Sequence, residues 1–111
     1  MIVDYKVVRH SLILKVGSEL DHHEAKKIKS VTDIVFRKGA ARNIILDFSE
    51  TNFMDSAGIG MMISRYKETN LHGGKLCVVN PGKTIQKLIK ISGLHSLVYE
   101  FRTMEEALEY V

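Results

Sequence analysis

A short, almost unbroken apolar run, Asn43-Ile44-Ile45-Leu46-Asp47-Phe48, limits the possible folds of this chain more than any other stretch. A strand with one wet face alternates apolar and polar residues. A run that is apolar at consecutive positions must be covered on both faces, as a strand inside a parallel sheet is. A polar loop, Ser49 to Asn52, follows. Beyond it Ile59, Met62, Ile63 and Tyr66 recur at i, i+3, i+4 and i+7, one face of a helix laid on that sheet.

The same alternation extends in both directions. Val3 to Val8 and Leu12 to Val16 flank the polar turn Arg9-His10-Ser11 and predict an N-terminal hairpin. Asp21 with Glu24 has capping-box spacing, and Ala25, Ile28, Thr32 and Val35 continue a helix to about Lys38. Leu76-Cys77-Val78-Val79 is a further apolar run. Asn80-Pro81 pairs a cap with a first-position proline, and Ile85, Leu88 and Ile89 face inward until Gly93 ends that helix. Leu97 to Phe101 is the last strand. Thr103 and Glu106 form another capping box, before a terminal helix facing inward through Met104, Ala107, Leu108 and Val111. The order ββαβαβαβα predicts a single α/β domain over residues 1–111. Its sheet is mixed but mostly parallel, carries an N-terminal hairpin, and is packed by about four helices with right-handed crossovers.

The chemistry concentrates at one junction, Phe53-Met54-Asp55-Ser56-Ala57-Gly58-Ile59-Gly60, where a strand gives way to a helix. Such junctions at the carboxyl ends of strands are where open α/β sheets present their ligands. Asp55 or Ser56 serves as an N-cap. Gly58 and Gly60 allow close packing and leave Ser56 uncovered. A nucleophile elbow is ruled against by Met54, which stands where that motif needs glycine. Gly58-Ile59-Gly60 is only a fragment of a dinucleotide fingerprint, and the P-loop pattern is absent. A phosphate on Ser56, by contrast, suits a helix N-terminus and would act on whatever docks there.

At this point the sequence resembles the anti-sigma factor antagonists of bacteria, the stand-alone members of the STAS domain family, over almost its whole length. Phe-Met-Asp-Ser-x-Gly-Ile-Gly is similar to the family's phosphorylation motif, with Ser56 matching the phosphoacceptor and Ser64-Arg65-Tyr66-Lys67 continuing the likeness. Glu19-Leu20-Asp21-His22-His23 and Ile91-Ser92-Gly93-Leu94 are further shared blocks, and the sporulation branch is the nearest in motif. Ser18 stands where the family usually has glycine. Ala57 replaces a common hydroxyl residue, which leaves Ser56 the one acceptor in the motif. The resemblance implies a STAS fold and partner switching without catalysis. The unphosphorylated form binds an anti-sigma factor that is also a serine kinase and so frees a sigma factor. Phosphorylation ends the interaction and a serine phosphatase restores it. The partner surface expected on this basis comprises Asp21, Asp55, Ser56, Ala57, Gly58 and Met61, with Met61 on the outward side of its helix. The alternative is a constitutive STAS scaffold or assembly subunit in which Ser56 is only a cap.

Composition narrows the partners. The 111 residues are 45% hydrophobic and 26% charged, enough for one ordinary core. The net charge of +3 is interspersed with acids. The stripe Lys83, Lys87, Lys90 reads as a solvated face, and few aromatics interleave with the basic residues, so a nucleic-acid partner is not expected. Cys77, the single cysteine, reads as a core thiol suited to a reducing compartment. The start has no signal-peptide pattern and no run reaches the roughly 18 apolar residues of a membrane span, so a cytoplasmic protein without membrane contact is expected. His22 and His23 have no further ligand at metal spacing and read as solvated first-turn residues. No metal, cofactor or small-molecule substrate is expected.

Overall fold

The computed structural model describes residues 3–111. The elements run β1 (Asp4–Val8), β2 (Ser11–Lys15), β3 (Glu19–Leu20), α1 (His22–Arg37), β4 (Asn43–Asp47), β5 (Phe53–Met54), α2 (Ser56–Leu71), β6 (Leu76–Val79), α3 (Lys83–Ile91), β7 (Tyr99–Phe101) and α4 (Met104–Tyr110). A 3-10 turn at Leu94–Ser96 lies between α3 and β7. Five strands form one sheet in the order β1-β2-β4-β6-β7, with β1 antiparallel and every other pairing parallel. The mixed sheet and N-terminal hairpin are as the sequence pattern requires.

Strand periodicity sorts the apolar residues into two layers. Leu12, Leu14, Ile44, Leu46, Leu76 and Val78 face one side. There they bury against Ile28 and Val35 of α1, Met62 of α2, and Ile85 and Ile89 of α3. Ile13, Ile45, Cys77 and Val79 face the other side, where α4 covers them with Ala107, Met104 and Leu108. Ile44, Ile45 and Leu46 are all fully buried, the physical reason for the unbroken apolar run. Cys77 belongs to the second layer, and burial pushes its thiol up to about 11, which leaves it protonated and inert.

The amino ends of the inner strands are stitched tightly. Asn43 at the head of β4 donates from its side-chain amide to the Ser11 hydroxyl at 3.3 Å and accepts from the Lys75 N–H at 2.9 Å. A Cβ on Gly74 would lie 1.8 Å from the Arg42 carbonyl oxygen, so only glycine fits the approach to β6. The loops that lead to Asp21 and Ser56 leave from the carboxyl ends of these strands.

Two expectations are corrected here. Asn80 does not cap α3: it adopts φ 51°, its N–H donates to the Phe101 carbonyl at 2.8 Å, and the chain turns once more before Gly82 occupies the cap position. The last strand is Tyr99–Phe101 rather than starting at Leu97, because the N–H groups of Leu97 and Val98 both turn back to the Leu94 carbonyl. Gly93, at φ 83°, follows α3 as its predicted terminator. Both halves of the Thr103–Glu106 capping box form.

Candidate functional site

The platform for Ser56 is assembled beyond the carboxyl ends of β2 and β4. Val16 donates to the Asp47 carbonyl at 3.0 Å, and the Thr51 hydroxyl donates to the carbonyls of Val16 and Gly17 at 3.3 and 2.9 Å. Asn52 and Phe53 then donate to the Ser18 carbonyl. These bonds bring β3 and β5 side by side as a two-stranded parallel ladder, with Glu19 opposite Phe53 and Leu20 opposite Met54. The Asp55 N–H extends the ladder to the Leu20 carbonyl at 3.3 Å. Neither strand is visible in the sequence pattern, because two residues are too few for a period to register.

This register sets the heads of α1 and α2 level. Asp21 caps α1 with φ −102° and ψ −170°, accepting from the Glu24 N–H at 3.0 Å. Asp55 caps α2 with φ −101° and ψ −170°, accepting from Ala57 and Gly58 at 2.9 and 3.2 Å. Asp21 is thus brought beside Asp55, and His22 stands level with Ser56. Two parallel helices point their positive ends at the same patch of surface, an arrangement that favours anions. The Glu24 N–H holds the Asp21 carboxyl below its ordinary value; desolvation opposes this, and the charge of His23 adds to it.

Ser56, the first residue of α2, is exposed, whereas Asp55 and Ala57 are half-buried. The Asp55 carboxylate already occupies the two N–H groups that a phosphate on Ser56 would otherwise seek. A phosphate there therefore projects its charge outward, beside a carboxylate, instead of sinking into the helix head. Gly58 is structural. A Cβ on it would lie 2.6 Å from the Leu20 carbonyl and 2.6 Å from the Met54 side chain, so glycine lets α2 start against the ladder. Gly60 is different, since a Cβ there meets nothing within 4 Å.

Met61 must be corrected. It is 6% exposed, not outward-facing, because α2 packs on α1 as well as on the sheet and so buries two faces. The capping box expected at α1 is half formed. The Glu24 carboxylate accepts from the Gly17 N–H at 2.7 Å, tying down the strand-to-ladder turn rather than returning to its own cap. His22 and His23 are exposed, with ring centroids 5.6 Å apart. Lys83, Lys87 and Lys90 are exposed along α3, as a solvated stripe should be.

A family profile for the STAS domain matches residues 3–107. The chain belongs to the STAS domain family. It is similar to an anti-sigma F factor antagonist of Lysinibacillus sphaericus, 30% identical over 105 residues that make up 95% of this chain and 89% of that protein. Its fold is similar to the anti-sigma factor antagonist SpoIIAA in its unphosphorylated form, with TM-score 0.80 and 27% identity over 97% of this chain and 96% of the other. The phosphorylated form of SpoIIAA, a cell fate determinant of Bacillus, matches with TM-score 0.78 and 30% identity over 97% of each chain.

The STAS domain also carries a feature that sequence reasoning missed. An open groove of about 220 Å³ runs between α1 and α2 from Ala57, the residue after Ser56, down to Arg65. Its basic residues on the two helices are 36 or more positions apart in the chain, so only the level heads of α1 and α2 reveal them as one surface. Among the described residues no helix is long and apolar enough to cross a membrane.

Proposed function

We propose that this STAS protein is an anti-sigma factor antagonist whose docking surface is centred on Ser56 and switched by phosphorylation of that residue. The observation that carries the reading is the exposed hydroxyl at the head of α2. It is held on a braced ladder, beside two capping aspartates and next to small residues, where a partner can reach it and no neighbouring side chain competes. The kinship with anti-sigma F factor antagonists supports the kind of partner, and the existence of SpoIIAA in phosphorylated and unphosphorylated forms supports the switch.

In this reading the unphosphorylated form binds an anti-sigma factor with serine kinase activity and thereby frees a sigma factor. The kinase adds a phosphate to Ser56 and a serine phosphatase removes it. The protein itself contributes no catalytic group; it presents a substrate hydroxyl and a surface. The phosphate brings about two negative charges to a site whose N–H groups are already taken by Asp55, so their effect falls on the partner. Against one acidic partner group about 6 Å away, at an effective dielectric of about 40, the repulsion is about 3 kcal/mol. That is about a hundredfold in affinity.

The test is intact-mass analysis after incubation with ATP and purified anti-sigma F or anti-sigma B factors, with Ser56→Ala alongside. The expected result is a gain of one phosphate, about 80 Da, that the variant does not show. No gain with kinases active on their own antagonists would reject the switch in favour of a constitutive scaffold.

A further inference from the structure

The groove between α1 and α2 has a chemistry that the antagonist reading alone does not use. Its lining includes four basic residues, His22, Lys26, Lys29 and Arg65, and no carboxylate. Lys29 is held by Asp33 at 2.7 Å, whereas Lys26 has no ion pair among the described residues. At about 220 Å³ the groove is smaller than the ~300 Å³ at which small-molecule pockets begin, and it is open, so a single side chain from another surface suits it better than a free ligand.

Two features point to the occupant. Arg65 is 6% exposed, and its Nε lies 3.0 Å from Glu68 Oε1 in a buried ion pair whose alignment falls short of a hydrogen bond. A buried guanidinium with five N–H donors and one imperfectly aligned carboxylate gains from a further acceptor. Among the described residues the acid paired with it is Glu68, through Nε, and a guanidinium has two terminal nitrogens besides, with which it can grip a second carboxylate in a fork. The second feature is Gly60, on the groove wall inside α2. Glycine is a poor helix residue, and a Cβ here would meet nothing within the protein. The space it leaves is open only to something from outside.

We propose that the groove seats an acidic side chain, Asp or Glu, of the anti-sigma partner, with Arg65 as its buried anchor, Lys26 and His22 at its rim, and Gly60 keeping the entrance clear. The inference rests on the antagonist reading and gives that reading a second contact, beside Ser56 and opposite in sign to the phosphate. The seat attracts the partner's carboxylate while a phosphate at the helix head repels its neighbours, so one acidic partner surface would be both recognised and released.

Calorimetric titration with purified anti-sigma F and anti-sigma B factors tests this, using wild type, Gly60→Gln, Arg65→Met, Lys26→Glu and a remote control, Lys83→Gln. Gly60→Gln is expected to weaken binding at least tenfold without lowering the melting temperature, since its side chain fills open space. Arg65→Met should lose at least tenfold. Lys26→Glu should lose about threefold and flatten the salt dependence. Lys83→Gln should stay within twofold of wild type. If Gly60→Gln and Lys26→Glu bind within twofold of wild type while phosphorylation of Ser56 still abolishes binding, the carboxylate seat is wrong and the antagonist reading stands. If no factor binds the wild-type protein, the reading fails and the seat fails with it. Arg65→Met is interpreted only with its fold intact; the other two variants decide the matter without it.

Discussion

The heads of α1 and α2 are near copies in backbone geometry. Each follows a paired strand residue, each is capped by an aspartate at the same dihedral angles, and each opens a helix of 16 residues. Their side chains then diverge. At α1 two histidines follow the cap, and Glu24 reaches back to the Gly17 N–H, so this end braces the turn that carries the ladder. At α2 a serine, an alanine and a glycine follow, no acid returns to the loop, and the Asp55 carboxylate takes two N–H groups itself. One head braces the platform, and the other leaves the Ser56 hydroxyl exposed. In the proposed reading a helix N-terminus becomes a docking point through what is left off it as much as through what is placed on it.

Substitutions can break that contrast, and the largest effect on stability should come from the glycine that lets the two heads meet. Gly58→Ala places a methyl 2.6 Å from the Leu20 carbonyl. Denaturant melts should show a loss of about 2–3 kcal/mol, the scale of an overpacked contact with backbone. Gly60→Ala, two residues along, should instead gain about 0.5–1 kcal/mol. Equal effects at the two positions would mean that the ladder does not hold α2 where it lies.

Ser56→Asp places a single charge where the phosphate brings two. Titration with the anti-sigma factor should show about a tenfold loss of affinity, half the logarithm of the phosphate effect, with the melting temperature little changed. His22→Asp at the matching position of α1 sharpens the comparison, since the central claim expects a smaller loss there than at Ser56.

Asp55→Ala removes the cap of α2 and should cost about 1 kcal/mol in chemical denaturation, since two N–H groups lose their acceptor. Asp21 tests the bracing head by pH. The Glu24 N–H holds the Asp21 carboxyl below its ordinary value in the folded state, so the folded protein favours the charged form. The stability this gives is fully present above the unfolded value and is lost as pH falls through the folded one. As pH falls below the ordinary carboxylate range, stability should therefore drop less steeply in Asp21→Asn than in the wild type, and identical slopes would remove Asp21 from the brace.

Much of this was legible in the sequence because it rests on periods and caps. The doubly buried β4 run, the Ile28–Thr32–Val35 stripe, the Thr103–Glu106 box and the strand-to-helix placement of Ser56 are local patterns with one physical solution. What escaped depends on contacts between distant segments. The β3–β5 ladder is two residues long on each side and is held by Thr51 and the Ser18 carbonyl, which no pattern of apolar residues reports. Met61 was misplaced because a single helical stripe assumes one buried face, and α2 has two. Asn80 resembled a cap in sequence, yet its N–H is taken by Phe101 of the neighbouring strand. The basic groove has the same origin: His22, Lys26, Lys29 and Arg65 become neighbours only once the ladder sets α1 beside α2.

The most direct test of the account is the affinity of one anti-sigma factor for this protein in two states, unphosphorylated and fully phosphorylated on Ser56, measured by titration calorimetry in the same buffer. The account predicts about a hundredfold weaker binding of the phosphorylated form with the fold unchanged. Equal affinities in the two states would contradict it and make Ser56 only the first residue of a helix.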